Sequence, residues 1–345
     1  MKEPVNVKPL KVGMTYDLRS EYAPPENAPP DYCAEFDSKE TVDYVEAALS
    51  SLGHRVHRIG NIQKLTHFLV SGKTVDIAFN MAEGLWGRSR EAQVPALLEA
   101  FQIPYTFSDP LTMALCLDKA MTKRVWQQAG LPTSPFWVVI DPAELEQVTE
   151  DGLEFPLFVK PVHEGSSKGI SQESIVETEQ QLVEQVERVL TLYQQPALIE
   201  KLFLSGREFT VGILGNGREA RVLGVLEITE VALYRVSGFL QKEKWEIYAP
   251  DTYRPLEAGP LQAQLSELGL RAYQAVGCQD AGRLDMRLDR DGNPQLMEIN
   301  PLPGLHPHHC AFPVIGKHAG LSFEVLLAEV LRHAMRRWGL DSTRQ

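Results

Sequence analysis

The stretch GRLDMRLDRDGNPQLMEINPLPG, residues 282–304, carries the strongest structural signal in the chain. Asp291-Gly292 lies between two segments of alternating polarity, which is typical of a tight antiparallel hairpin. A hairpin centred on this turn pairs Asp285 with Glu298 and, in the same register, Arg283 with Asn300. The two-residue period of a strand keeps these four side chains on one face. With strict alternation, the neighbouring apolar residues do not all fall on the opposite face.

This polar face brings together two carboxylates, one carboxamide and one guanidinium. Hard oxygen ligands suit magnesium, which takes a few protein oxygens and completes its shell with water and phosphate oxygens. A surface hairpin with weak cross-strand ion pairs explains the same residues about equally well when they are taken alone. A second motif favours the metal site.

That motif, FVKPVHEGSSKGI at residues 158–170, joins an apolar strand to a loop rich in Gly and Ser. Backbone N–H groups in such a loop wrap phosphate oxygens, and small side chains allow a close approach. A bound nucleotide would offset the entropy that ordering the loop costs, which predicts a lid over phosphates. Lys160, at the end of the strand, and Lys119, at the start of the preceding helix, are cations within reach of such phosphates. The loop fits neither the Walker A motif nor the dinucleotide fingerprint.

Composition and charge narrow the class of protein. The chain has 345 residues, 43% of them hydrophobic, enough for roughly two or three domains. A net charge of -12 makes nucleic acid or an anionic membrane a poor partner. No apolar run is long enough to span a membrane and the amino terminus lacks the apolar block of a signal peptide, so we expect a cytoplasmic location. The cysteines, Cys33, Cys116, Cys278 and Cys310, have no paired spacing and are expected to be reduced thiols.

The order of predicted elements changes along the chain. Strands and helices alternate over residues 1–117, which predicts a parallel α/β layer. Residues 118–203 form a smaller α+β unit that contains the Gly/Ser loop. Over residues 204–345 the strands are predicted to be antiparallel, with hairpin turns at 215–217 and 291–292.

The order and spacing of these motifs resemble those of the ATP-grasp ligases and, within them, the D-alanine–D-alanine ligase family. The resemblance runs from about Phe79 to the end, through IPYTFSDPLTMALCLDKAMTKRVWQQAGLPT, FVKPVHEGSSKGI, LIEKLFLSGREFTVGIL, GRLDMRL and MEINPLPG. It implies an N-terminal α/β domain followed by a two-lobed ATP-grasp fold, in which 118–203 carries the lid and 204–345 the magnesium site. The implied chemistry is phosphorylation of a carboxylate by ATP, followed by attack of an amine on the acyl phosphate.

The resemblance also implies roles for single residues. The expected contacts with ATP are Lys119 and Lys160 on the phosphates, Ser166 and Ser167 in the lid, Glu200, Lys201 and Phe203 along the adenine, and Glu208 on the ribose. The expected ligands of two magnesium ions, with manganese as an alternative metal, are Asp285, Glu298 and Asn300. The expected catalytic groups are Arg283 and the N–H of Gly304 on the tetrahedral intermediate, and Lys242 on the γ-phosphate, with Lys244 as a competing candidate.

Both substrate pockets depart from the family pattern. The stretch AEGLWGRSREAQVP has Glu83 where the family has a His, and it adds Arg88 and Arg90. Near the end, PGLHPHHC has His309 and Cys310 where the family has a Ser-Leu pair that receives a substrate carboxylate. The His cluster is not predicted to hold zinc, because imidazoles so close together in a proline-broken loop cannot all face one ion. Substrate contact and surface exposure are two equally weighted interpretations.

The sequence therefore predicts an ATP-dependent carboxylate-amine ligase whose small-molecule substrates are amino acids or similar compounds other than two D-alanines. The alternatives are a housekeeping D-alanine–D-alanine ligase, an ATP-binding module without ligase activity, and an ATP-grasp enzyme that uses another nucleophile, such as a thiol or hydroxyl. The resemblance also allows a homodimer.

Overall fold

The computed structural model describes residues 9–150, 154–203, 207–229 and 253–340. Within these ranges the strands form three sheets, one parallel and two antiparallel. None of the helices described there combines the length and apolarity that a membrane crossing requires.

The first sheet is parallel, as the alternation of strands and helices predicted. Its order is β2-β1-β3, with β1 at Lys11–Tyr16, β2 at Arg55–Arg58 and β3 at Ile77–Met81. The helices of this part are α1 (Lys39–Ser51), α2 (Ile62–Val70) and α3 (Gln93–Ala100). Ser38 is the N-cap of helix α1, and its hydroxyl accepts the Thr41 N–H at 3.1 Å.

The second sheet has the order β4-β7-β5-β6 and is antiparallel. Helices α4 (Pro110–Leu117) and α5 (Lys119–Gln128) lead into it. Its strands are β4 (Phe136–Val139), β5 (Leu157–Pro161), β6 (Ile175–Val176) and β7 (Ala197–Lys201). Helices α6 (Leu145–Glu150) and α7 (Glu179–Arg188) accompany these strands, and a π-helical turn, Val189–Tyr193, continues α7.

The third sheet has the order β10-β9-β8-β11-β12. Its strands are β8 (Glu208–Leu214), β9 (Arg221–Ile228), β10 (Tyr253–Pro255), β11 (Ala281–Leu288) and β12 (Pro294–Asn300). The helices are α8 (Pro260–Ala275), α9 (Ala311–His318) and α10 (Phe323–Arg337). One apolar cluster combines Val45 of α1, Met14 of β1 and Val330 of α10, so the C-terminal helix packs against the first part of the chain. The boundaries at 117 and 203 stay predictions.

The β11-β12 hairpin has the predicted register on its polar face and one feature that the sequence did not predict. Asp285 pairs with Glu298, but the next residue, Met286, pairs with Leu296, so Met297 is an extra residue in β12. Such a β-bulge breaks the two-residue alternation. Leu296 is therefore fully buried in the core, although strict alternation from Glu298 would put it on the polar face.

The bulge predicts unequal effects of two neighbouring truncations. We expect Leu296→Ala to lower the free energy of unfolding by about 2–5 kcal/mol, because it leaves a cavity in the core. We expect Met297→Ala, at the bulge, to cost clearly less. Urea denaturation of both variants measures the difference, and equal losses would show that Leu296 does not face the core.

Candidate functional site

The polar face of the hairpin carries the predicted metal-binding residues. The Arg283 guanidinium lies between two carboxylates, with Nη2 at 2.8 Å from Asp285 Oδ2 and 3.9 Å from Glu298 Oε1. Asn300 lies directly opposite Arg283 across the strands. The side chains of Arg283, Asp285 and Glu298 are each partly exposed, so a ligand has access to the face.

The two carboxylates differ in acidity. Burial raises the pKa of Asp285, and Arg283 counters only part of this effect. Burial acts on Glu298 as well, but the nearby cations Lys119, Lys160 and Arg283 lower its pKa to about 2. Glu298 is therefore ionised at neutral pH and available as an oxygen ligand.

Two predicted phosphate-binding lysines lie beside this face. Lys119 begins α5, and its Nζ is 3.5 Å from Glu298 Oε2 while it also donates to the backbone carbonyl of Glu164. Lys160 is the next-to-last residue of β5, and its Nζ is 2.6 Å from Glu200 Oε2. The structure thus brings together the hairpin, the start of α5 and the strand that leads into the Gly/Ser loop.

A buried ion triad, Lys123–Glu200–Lys160, supports the second of these lysines. Glu200 is 0% exposed, and its Oε1 lies 2.6 Å from Lys123 Nζ while its Oε2 contacts Lys160. Burial raises the pKa of Glu200, but the two lysines outweigh burial and lower the pKa to about 2. The sequence patterns did not predict Lys123 as a site residue, although it lies one helical turn after Lys119.

The triad predicts a large and pH-dependent effect of Glu200→Gln. The change leaves two buried cations without a counter-charge, so we expect a loss of about 3–5 kcal/mol in the free energy of unfolding at pH 7. Because the folded-state pKa lies below the unfolded value near 4.5, the ionised Glu200 contributes fully above pH 4.5. The contribution falls as the pH drops from about 4.5 toward 2, so the difference from the wild type should shrink there.

Denaturant unfolding at pH 7 and at pH 3.5 measures this effect. Glu154→Gln is the matched control, since Glu154 makes the same kind of bond to Lys201 at 2.5 Å with a largely exposed side chain. We expect little change in that variant. Similar losses in both variants would contradict a buried triad.

The remaining residues predicted for the nucleotide lie along β7, the segment after it, and β8. Lys201 faces Glu154, and Phe203 is buried. Burial raises the pKa of Glu208 to about 7 against the lowering effect of Arg287, whose Nη1 is 3.7 Å from Glu208 Oε2. Lys242 and Lys244 lie outside the described residues.

The Gly/Ser loop, residues 162–170, has a defined conformation. Ser166 and Ser167 have φ values of 49° and 59°, in the left-handed region that non-glycine residues adopt at a cost. Gly169 also has a positive φ, and a Cβ built there would lie 2.3 Å from the Pro161 ring. Contacts from outside the loop must therefore hold the two serines in place.

In the altered stretch at 82–95, some side chains are exposed and others are buried. Trp86 is 66% exposed, and Arg88, itself largely exposed, binds the Asp118 carboxylate at 2.5 Å. Arg90 is buried and bound to protein carboxylates. Burial and the neighbouring Glu91 raise the pKa of Glu83 well above its usual range.

The HPHHC segment forms an aromatic cluster. The rings of His306 and His309 stack with centroids 3.6 Å apart, and Tyr44 of α1 meets His306 edge-on. Cys310 caps α9, and a Cβ built on Gly304 would lie 2.8 Å from its Sγ. Cys310 therefore lies beside Gly304, whose amide was predicted to stabilise the intermediate.

The donor set on the hairpin fits magnesium that is shared with a phosphate ligand. Among the described residues, no group of three or more His, Cys, Asp and Glu side chains is arranged to hold a metal ion by itself. Asp285, Glu298 and Asn300 offer two carboxylates and one carboxamide. Such an incomplete oxygen shell is what Mg²⁺ takes together with nucleotide phosphates and water.

Comparison with known proteins identifies the family. Residues 125–332 match the family model for the D-Ala-D-Ala ligase C-terminus. A D-alanine–D-alanine ligase of Bordetella avium is 34% identical over 292 residues, 84% of this chain and 87% of that protein. The uncharacterized protein y4sG of Sinorhizobium fredii is 34% identical over 305 residues, 86% of this chain and 88% of that protein. The crystal structure of a D-alanine–D-alanine ligase from Bacillus anthracis complexed with ATP has a TM-score of 0.72 at 21% identity, covering 96% of this chain and 99% of that chain.

The chain therefore belongs to the D-alanine–D-alanine ligase family. It is an ATP-grasp ligase of the kind that forms a carbon–nitrogen bond, as the sequence predicted. The mixed α/β architecture with an ATP-grasp fold is confirmed as well.

Proposed function

We propose that this protein is an ATP-dependent carboxylate-amine ligase that joins amino acids or similar compounds other than two D-alanines. The observation that carries the ligase assignment is the meeting of Lys119 with Glu298, 3.5 Å apart, on the face that also presents Arg283. A cation for phosphate, a carboxylate for a metal ion and a guanidinium for an oxyanion thus lie side by side.

In this proposal the reaction has two steps. A carboxylate oxygen of the first substrate attacks the γ-phosphorus of ATP, ADP leaves, and an acyl phosphate forms. The amine nitrogen of the second substrate attacks the acyl carbon and loses a proton, and phosphate leaves as the amide forms. Arg283 and the N–H of Gly304 stabilise the oxyanion of the second step, and the resemblance assigns the γ-phosphate to Lys242, with Lys244 as the competing candidate.

The chain's own charges orient the phosphates. Lys119 and Lys160 approach from two elements, and fixed positions matter because positioning and charge stabilisation supply most of the catalysis in phosphoryl transfer. Asp285, Glu298 and Asn300 would hold two magnesium ions. Magnesium bound there neutralises phosphate charge and polarises the transferred group.

The substrate stretches support a specificity other than two D-alanines. His309 is a bulky stacked ring at a position where a small hydroxyl would leave room for a substrate carboxylate. Arg90 is engaged with Glu35 and Glu164, so its charge is already paired within the protein. Burial raises the pKa of the neighbouring Glu91 to about 7, against the lowering effect of Arg90.

A housekeeping D-alanine–D-alanine ligase is the second candidate, since relatives of that name are 34% identical to this chain. One assay distinguishes the two candidate functions. ADP release with Mg-ATP is measured across single amino acids and pairs, in D and L forms, with mass spectrometry of the products. Turnover only with pairs other than D-alanine supports the proposal, and D-alanyl-D-alanine as the sole product supports the second candidate.

An isotope experiment tests the acyl phosphate. With a first substrate whose carboxylate carries ¹⁸O, we expect one labelled oxygen in the phosphate that is released, because the carboxylate oxygen becomes the bridge and leaves with phosphorus. Mass spectrometry of the phosphate detects it. Unlabelled phosphate at full turnover would contradict this route.

The metal assignment predicts the effect of Glu298→Gln. We expect ADP formation to fall by at least about 100-fold, because the neutral amide is a poor ligand for a hard cation, while circular dichroism shows that the variant remains folded. Glu257→Gln, the same change at an exposed position, is the control and should be fully active. An active Glu298→Gln variant would refute the assignment.

Other expectations from the sequence stay predictions. They are the homodimer, the cytoplasmic location and the number of metal ions. An ATP-binding module without ligase activity is separated from the proposal by the ADP assay together with a test of whether ATP binds.

A further inference from the structure

The Pro-rich segment, residues 22–36, has no role in the proposed function. It carries Pro24, Pro25, Pro29 and Pro30 and lies between β1 and α1. The structure brings two of its carboxylates against the Gly/Ser loop, which is 130 residues further along the chain where Glu35 meets Gly165.

Glu35 makes the central contact. Arg90 Nη2 donates to both of its carboxylate oxygens, at 2.7 and 2.9 Å, and the Gly165 N–H donates to Oε1. Lys168 Nζ lies 3.3 Å from Oε2. The Glu35 side chain is only 4% exposed, yet it is fully matched by partners. A buried carboxylate with this set of donors is held in one orientation.

Asp31 makes a second contact at the other end of the loop. It accepts the Gly169 N–H at 2.7 Å and the Tyr193 hydroxyl at 3.1 Å. The Arg90 guanidinium also donates hydrogen bonds to the Glu164 carboxylate at 3.0 Å and to the His163 carbonyl at 2.9 Å.

These contacts flank the two strained serines. Gly165 precedes Ser166, and Gly169 follows Ser167 by two residues, so the loop is fixed on both sides of its left-handed positions. The N–H groups of Gly165 and Gly169 are engaged by carboxylates. Among the hydrogen bonds of the described residues, none is donated by the backbone N–H of Ser166 or Ser167, and Ser166 is exposed.

We propose that Glu35 is a positioning residue for ATP, because it holds the Gly/Ser loop in the conformation that presents the Ser166 and Ser167 N–H groups to phosphate. Asp31 assists at Gly169. The inference rests on the proposed function, in which this loop covers the phosphates. Contacts within the protein then offset the entropy lost on ordering the loop before ATP binds. Preorganisation of this kind raises the affinity for ATP.

The test compares Glu35→Gln with Glu26→Gln, the same change at an exposed position of the same segment. Glutamine keeps the size and an acceptor for Gly165 but loses the charge that pairs with Arg90 and Lys168. We expect the Kd for Mg-ATP, from calorimetry, to rise about 10-fold in Glu35→Gln and to stay unchanged in Glu26→Gln. Glu35→Asp, which keeps the charge, should recover part of the loss.

Amide hydrogen exchange of the protein without ATP gives a readout that a general loss of stability would not reproduce. We expect faster exchange confined to residues 162–170 in Glu35→Gln, with other regions as in the wild type. If this variant does not fold, Asp31→Asn tests the same loop through Gly169, since Asp31 is half-buried.

Unchanged exchange in the loop together with an unchanged Kd would overturn the inference and leave the ligase proposal intact. A wild-type protein that does not bind Mg-ATP would overturn the proposed function, and with it the role of Glu35 toward ATP. Faster loop exchange with weaker ATP binding supports both.

Discussion

The register of the β11-β12 hairpin is the constraint on which the site depends. Pairing Asp285 with Glu298 brings two carboxylates to one face, and the bulge at Met297 lets the same strand bury Leu296. A one-residue slip would move the charged set into the core, where unpaired charges cost far more than one hydrogen bond contributes. The register is therefore strongly specified, and a sheet rather than a mobile loop holds the carboxylates.

Ion pairs also fix the positions of the charged side chains beside the hairpin. Glu200 fixes Lys160 through an ion pair of the buried triad, and Lys119 lies between the Glu298 carboxylate and the carbonyl of Glu164. Lys119 and Lys160, the two described cations that the proposal directs at phosphate, are thus each fixed by a protein group. Fixed charges suit phosphoryl transfer, because little reorganisation is then needed when the reaction occurs.

Local patterns in the sequence predicted the parts of the structure that depend on neighbours along the chain. The pairing of Asp285 with Glu298 and the parallel sheet were predicted correctly, whereas the turn lies at Asp289–Gly292 and is not centred on Asp291-Gly292. The bulge was not, because periodicity does not say where an extra residue is inserted. Contacts of Lys123 with Glu200 and of Glu35 with Gly165 depend on how distant elements pack, which one sequence does not reveal.

Calorimetric titration of ATP into the wild-type protein, with Mg²⁺ and with the metal removed by EDTA, tests the central claim most directly. That claim is that the hairpin face and the lysines beside it form one site for a metal-bound nucleotide. We expect ATP to bind with Mg²⁺ and to bind at least about 10-fold more weakly without it, because the carboxylates would then face the phosphates without a cation between them. Equal binding under both conditions, or no binding under either, would contradict the account.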